Sequence, residues 1–135
     1  MKVEVSPVPQ LSASQMPGDL DLVVLFGSRA RGTSSPASDW DLAIRFRQTP
    51  EHPLRICALD PLLAHALGCS SDAVDVVDID RTSYLLQRCI AEDGVALFER
   101  EPGLFVQFCS RASRQWADWQ QRQRKIHKER EALRP

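Results

Sequence analysis

Residues 27–44 read GSRARGTSSPASDWDLAI, and this stretch decides the fold. It opens with Gly27 and Ser28 and continues, after ten residues, with the acidic pair Asp39 and Asp41. A Gly-Ser turn between a strand and a helix can bring backbone N–H groups and a hydroxyl against phosphate oxygens, because glycine permits close approach. Two aspartates at i and i+2 on a strand point to the same face, where they can share divalent cations. The stretch therefore predicts a phosphate-binding turn beside an acidic metal site.

The segments around this turn predict strands. Residues 20–26 (LDLVVLF) are β-branched and apolar enough for a buried strand that stops at the turn. A short helix is predicted over 29–32, and the Ser/Pro-rich residues 33–38 predict a loop. The second strand covers 39–46. Its apolar face, which we expect to look into a core, consists of Trp40, Leu42, Ile44 and Phe46.

Helices and strands alternate through the following residues. We predict a helix over 54–67, with a start near Asp60 as the cap and Pro61 in the first turn. A third strand is predicted over 73–79, then a helix over 83–91 capped by Thr82, and a short strand over 95–98. This alternation is typical of the α+β or α/β class.

Residues 103–133 predict one long helix, because no residue in this range breaks it. At 1.5 Å per residue the helix reaches roughly 40 Å, which is longer than a small sheet can cover. We therefore divide the chain into a flexible lead-in over 1–18, a core over 19–102 and a C-terminal helix over 103–135 that serves as a partner-docking arm. Its apolar residues follow one stripe: Phe105, Phe108, Ala112, Trp116, Trp119 and Ile126.

Composition sets limits on the function. A chain of 135 residues with 43% apolar and 26% charged residues predicts one ordinary globular core. The net charge of −1 gives no support to a globally basic nucleic-acid binder. The four cysteines contain no CxxC pair, so we expect small buried side chains and no zinc site. The absence of a signal-peptide pattern or a membrane-spanning apolar run predicts a cytoplasmic protein.

The pattern G-S-x₁₀-D-x-D resembles the signature of the minimal nucleotidyltransferase family, within the DNA polymerase β-like nucleotidyltransferase superfamily. The resemblance covers about residues 20–98 and implies a small mixed β-sheet flanked by helices. It also implies Mg²⁺-dependent nucleotidyl transfer with two ions and ATP as the substrate. Gly27 and Ser28 then cradle the phosphates. Arg29 and Arg31 suit triphosphate oxygens, and they suit a solvated helix surface equally well.

The family takes a third carboxylate from a neighbouring strand. The sequence VDVVDID supplies two candidates, Asp75 and Asp78, which face opposite ways because they are three residues apart. The resemblance implies that Asp75 joins Asp39 and Asp41 as a catalytic residue, either as the third metal ligand or as the group that accepts the acceptor's proton. Asp78 is expected at a solvent-facing or turn position.

The family includes antitoxins of the MntA type, which are encoded beside a HEPN-domain (HepT-like) ribonuclease toxin and which this chain resembles in motif and size. That resemblance implies transfer of AMP from ATP to a tyrosine hydroxyl of the toxin, with the toxin docked on the C-terminal helix. Two alternatives stay open: an antitoxin that acts by binding alone, and an antibiotic nucleotidyltransferase acting on a small hydroxylated substrate. Nucleic-acid binding through the basic end of the helix is disfavoured, since such helices are more often solvated or protein-docking surfaces.

Overall fold

The computed structural model describes residues 8–134 and builds them around one four-stranded sheet. Its strands are β1 (Leu20–Phe26), β2 (Trp40–Phe46), β3 (Val74–Asp78) and β4 (Val95–Glu99), arranged in the order β3-β2-β1-β4. β1 is antiparallel to both β2 and β4, whereas β2 and β3 are parallel. The predicted small mixed sheet is confirmed, and the predicted bounds of β1 are those observed.

Four α-helices surround the sheet: α1 (Gly27–Arg31), α2 (Leu59–Leu67), α3 (Tyr84–Asp93) and α4 (Leu104–Ala132). Two predicted caps were wrong. The residue before α2 is Ala58, so Asp60 lies inside the first turn. The cap of α3 is Ser83, whose hydroxyl accepts the N–H of Leu86 at 3.1 Å, while Thr82 donates its own hydroxyl to the carbonyl of Ile79.

Both faces of the sheet are covered. On one face, Leu42 and Ile44 of β2 pack with Leu59 and Leu63 of α2, so the predicted apolar face does look into a core. On the other face, Ala43 is fully buried under α3 and α4. This second layer explains why β1 is buried on both sides, as a continuous apolar strand predicts.

The segment before β1 packs on the core from Val8 onward, which differs from the flexible lead-in expected over 1–18. Leu11 and Met16 are each only 7% exposed, and the N–H of Leu11 donates to the carbonyl of Leu97 on edge strand β4 at 2.9 Å. Arg100 donates from Nη2 to the carbonyls of Pro17 and Leu20, each at 2.8 Å. Residues 1–7, the first part of the expected lead-in, lie outside the described residues.

The four cysteines are free thiols. Cys57 and Cys89 are exposed, so the expectation that they are buried was wrong for these two. Cys69 and Cys109 are half-buried and pack against the two core clusters.

The long helix α4 contributes only its first half to the core. Phe108 and Ala112 are each 2% exposed, whereas every side chain from Gln121 to Arg134 is exposed. This helix of 29 residues therefore projects beyond the sheet, as its length predicts. Within residues 8–134, no helix combines the length and the apolar character that a membrane crossing needs.

Deleting residues 122–135 should change the free energy of unfolding by less than about 0.5 kcal/mol, because exposed side chains contribute little. Phe108→Ala is the matched control within the same helix and should cost about 3–5 kcal/mol. Urea denaturation followed by circular dichroism measures both. A truncated chain as unstable as Phe108→Ala would show that the end of α4 is part of the core.

Candidate active site

The sheet places two of the sequence-predicted site residues, Asp41 and Asp75, in one row. Phe26, the last residue of β1, pairs with Asp41 on β2, and Asp41 pairs with Asp75 on β3. Neighbouring strands lie about 4.8 Å apart, and residues in register point to the same face. Asp41 and Asp75 therefore lie side by side, on the sheet face that α3 and α4 cover further along. Gly27 follows Phe26 directly, so the Gly-Ser turn begins at the end of this row.

Gly27 is required for two reasons. Its φ of +75° lies in the left-handed region that disfavours side chains. A Cβ at this position would also overlap the carboxylate of Asp41. The close approach between the turn and Asp41 thus depends on the missing side chain. Ser28, the next residue of α1, is partly exposed, so its hydroxyl is accessible at the same edge.

Asp39, Asp41 and Asp75, which we call the acidic row, concentrate negative charge at this edge of the sheet. Partial burial raises the pKa of Asp41, and the nearby charges of Asp75 and Asp39 raise it further. Arg31 opposes this effect and lowers the same pKa. Its guanidinium is half-exposed, and Nη1 lies 3.8 Å from Oδ2 of Asp93. Arg31 is therefore a cation beside the acidic row, still open to solvent.

Hard divalent cations such as Mg²⁺ prefer carboxylate oxygens, so the donor type of Asp39, Asp41 and Asp75 fits such an ion. In the described part of the chain, however, no three His, Cys, Asp or Glu side chains converge into a group that could hold a metal ion. The chemistry of the donors and the repulsion around Asp41 support a cation here, while the assignment of all three aspartates as ligands stays a prediction.

Asp60 is a neighbour of this row that the sequence did not reveal. Partial burial raises the pKa of its carboxyl, and the charge of Asp75 raises it further, which brings the two side chains into one electrostatic environment. Asp60 lies on α2, which connects β2 to β3. Its position beside Asp75 follows from that crossover, and no spacing in the sequence signals it.

The two aspartates of β3 have different surroundings. Asp75 is exposed and in register with Asp41. Oδ1 of Asp78 instead accepts the N–H of Asp80 at 3.0 Å, which caps the 3₁₀ turn Ile79–Arg81. This capping contact agrees with the turn role expected for Asp78.

Arg29 has a role that neither sequence alternative included. Its Nε and Nη2 donate to the carbonyl of Ser38 at 3.0 and 2.8 Å, and its guanidinium lies 4.3 Å from the centre of the Trp40 ring. Arg29 therefore ties α1 to the residue that precedes Asp39. Nε and Nη2 are directed at the protein backbone, so Arg29 is not simply a solvated side chain, and its expected contact with triphosphate oxygens stays a prediction.

Residues 12–103 match the family model described as polymerase beta, nucleotidyltransferase. The chain belongs to this nucleotidyltransferase family. It is 34% identical over 90 residues to the protein adenylyltransferase MntA of Aphanizomenon flos-aquae (strain 2012/KM1/D3), and the match covers 62% of this chain and 59% of the relative. The match thus spans less than two-thirds of the length of that relative.

Solved structures show the same nucleotidyltransferase fold. A chain from a toxin-antitoxin crystal structure with AMP-PNP superposes with a TM-score of 0.67 at 26% identity, covering 86% of this chain and 89% of the other. A chain from a complex of a tri-AMPylated Shewanella oneidensis HEPN toxin with an MNT antitoxin superposes with a TM-score of 0.61 at 23% identity, covering 86% of each. The resemblance to minimal nucleotidyltransferases and the expected fold are both confirmed.

Asp41→Asn should raise the Tm of the metal-free protein at pH 7 by a few degrees. In the parent chain the pKa of Asp41 is raised on folding, so this residue's contribution to stability is present at low pH and is lost as the pH rises through that pKa. The variant avoids this loss. Thermal unfolding in EDTA between pH 3 and 8 should show the advantage shrinking as the pH falls through the raised pKa of Asp41 and vanishing below about 4, near the ordinary pKa of an aspartate. An advantage independent of pH would contradict the electrostatic cause.

Gly27→Ala should impair MgATP binding, and Gly32→Ala is its matched control. Both residues have a positive φ near 75°, at +75° and +74°, so both variants should lose about 1–2 kcal/mol of stability. Only the alanine at position 27 also displaces the carboxylate of Asp41. Urea denaturation and isothermal titration with MgATP separate the two effects. Equal binding by the two variants would show that the contact with Asp41 is unimportant.

Proposed function

We propose that this chain is an antitoxin that transfers AMP from ATP to a tyrosine hydroxyl of a HEPN-domain toxin in the cytoplasm and thereby neutralises it. The in-register pair Asp41 and Asp75 beside the Gly27 turn carries the proposal, because it joins a phosphate-binding turn to acidic groups. The relatives supply the substrate class: one is a protein adenylyltransferase, one structure contains AMP-PNP, and one contains an AMPylated toxin.

In the proposed reaction, the turn, Arg31 and the three aspartates have separate roles. Backbone N–H groups at the turn and the hydroxyl of Ser28 donate to phosphate oxygens, and Arg31 adds a positive charge beside them. Asp39, Asp41 and Asp75 would hold Mg²⁺, which when bound neutralises charge on the transferred phosphoryl group and lowers the pKa of an acceptor hydroxyl. The exposed carboxylate of Asp75 is also placed to accept the acceptor's proton.

In this proposal the acceptor hydroxyl belongs to the toxin, because one of the similar structures is a complex of an antitoxin with a tri-AMPylated HEPN toxin. The C-terminal helix is the proposed docking arm for the toxin. Residues Trp116 and Trp119 extend its apolar stripe beyond the buried Phe108 and Ala112. Large aromatic side chains that remain accessible on one face are typical anchors of an interface.

Neutralisation by contact alone is the second candidate. It is favoured by the finding that, in residues 8–134, no three acidic side chains converge into a metal-binding group. In that case the acidic row would have no catalytic role, and binding to the toxin would be enough to neutralise it.

The proposal predicts transfer of label from α-labelled ATP to a HEPN-domain toxin of the HepT type, with loss of label in EDTA. Asp75→Asn should lower kcat by about 100-fold, because it removes a carboxylate at the reacting groups. Asp78→Asn is the matched control on the same strand and should retain most of the activity, since Asp78 only caps a turn. The measurement is the initial rate of labelling at saturating ATP.

Three outcomes separate the candidates. Equal labelling with and without EDTA would rule out the metal role. A larger loss at Asp78 than at Asp75 would show that the wrong aspartate was assigned. If the chain binds and inhibits the toxin without any labelling, the contact-only antitoxin is correct.

A further inference from the structure

A groove of about 780 Å³ lies between the beginning of α3 and the middle of α4. The role inferred for this groove rests on the proposed function, because its occupant would be the toxin. The groove lies on the same face of the sheet as the acidic row, since Arg45 at its base is four residues after Asp41 on β2. At about 3.3 Å per strand residue, the two are separated by roughly 13 Å.

The walls of the groove are apolar and accessible. On the α3 side, Leu85 is 58% exposed and Tyr84 is 40% exposed. On the α4 side, the rings of Trp116 and Trp119 are stacked with their centroids 5.0 Å apart. Nε1 of Trp116 is buried and has no hydrogen-bond acceptor among the described residues. Accessible aromatic and aliphatic side chains around one groove are typical of a protein-binding surface.

The groove also carries an excess of positive charge. Three arginines and one aspartate line it, which leaves two more positive than negative groups. Arg45 donates hydrogen bonds to both carboxylate oxygens of Asp80, at 3.1 and 2.9 Å. Arg111 is half-exposed and lies 4.0 Å from the same carboxylate. Arg81 is exposed, and within residues 8–134 no carboxylate lies within ion-pair distance of it.

We propose that this groove is the docking site for an acidic segment of the HEPN toxin that inserts an apolar or aromatic side chain between Leu85 and Trp119. Charge complementarity selects an acidic occupant, because Arg45 and Arg111 share the single carboxylate of Asp80 and Arg81 has no ion-pair partner among residues 8–134. The apolar walls require a side chain that gains from burial. A toxin held there lies beside the acidic row, so its acceptor hydroxyl reaches the site from the same face of the sheet.

This site differs from the projecting end of α4. The end carries Arg122, Arg124, Lys125 and Lys128, all of them exposed. Between Gln121 and Arg134 only two large apolar side chains, Ile126 and Leu133, are exposed, and they are seven residues apart. Such a surface attracts acidic partners over a distance but offers little area for burial. The groove combines charge with apolar walls.

Two charge-reversal pairs in the full chain test the site. Arg81→Glu/Arg111→Glu alters the groove, and Lys125→Glu/Lys128→Glu makes the same change in net charge on the projecting end. The probe is a purified HEPN-domain toxin of the HepT type, titrated by isothermal calorimetry at low and high salt. The groove pair should weaken binding by more than about 30-fold, and the control pair by less than about 3-fold, because close charge pairs contribute more than distant ones.

A second pair tests the apolar walls. Leu85→Asp places a charge in the groove, and Val106→Asp is the control, since Val106 is 68% exposed on α4 and does not line the groove. Only Leu85→Asp should weaken binding. Circular dichroism and MgATP titration should be unchanged in all four variants, which excludes misfolding and damage to the nucleotide site.

The outcomes are distinguishable. A parent chain that does not bind the HEPN protein overturns the proposed function and this site together. A parent chain that binds it, with equal effects of the groove and control variants, overturns the groove while the proposed function stands. If the groove variants bind the HEPN protein normally but lose binding to a single-stranded RNA oligonucleotide, the occupant is RNA, and the protein-docking proposal is wrong.

Discussion

The contact between Gly27 and the carboxylate of Asp41 is the constraint on which the site depends. It requires that β1 end at Phe26, that β2 pair with β1 in the observed register, and that the turn carry no side chain. A shift of one residue in this register would turn Asp41 and Asp39 to the opposite face, away from the turn. The sheet therefore places the site mainly through backbone pairing, and the side chains follow from it.

The cost of this arrangement is electrostatic. Asp39, Asp41 and Asp75 share one edge, and Asp60 approaches from α2. Partial burial and neighbouring negative charge raise the pKa values of Asp41 and Asp60, so the ionised forms of these two carboxyls are disfavoured. Carboxyls with raised pKa values that cluster at one edge of a sheet are typical of functional sites. A bound cation would favour the ionised forms, and Arg31 already lowers the pKa of Asp41.

The sequence allowed prediction of the features that depend on local pattern. The apolar run of β1 and the alternation in β2 located the strands to within a residue, and the spacing of Asp39 and Asp41 placed them beside the turn. Contacts between segments that lie far apart in the sequence could not be predicted from local pattern. Asp60 reaches Asp75 only through the crossover, and Leu11 is buried only because β4 offers its edge. The choice between Thr82 and Ser83 as the cap of α3 is a one-residue difference that propensity does not resolve.

The hydrogen bonds of Arg29 also bear on how sequences of this kind can vary. Both donors reach the backbone carbonyl of Ser38, and every residue type provides a backbone carbonyl. Substitutions within residues 33–37, all of which are exposed, therefore leave the anchor intact. An insertion or deletion in the same loop moves that carbonyl out of reach and shifts Asp39 with it. Loops of relatives that keep this arginine should accordingly vary in sequence while their length is held constant.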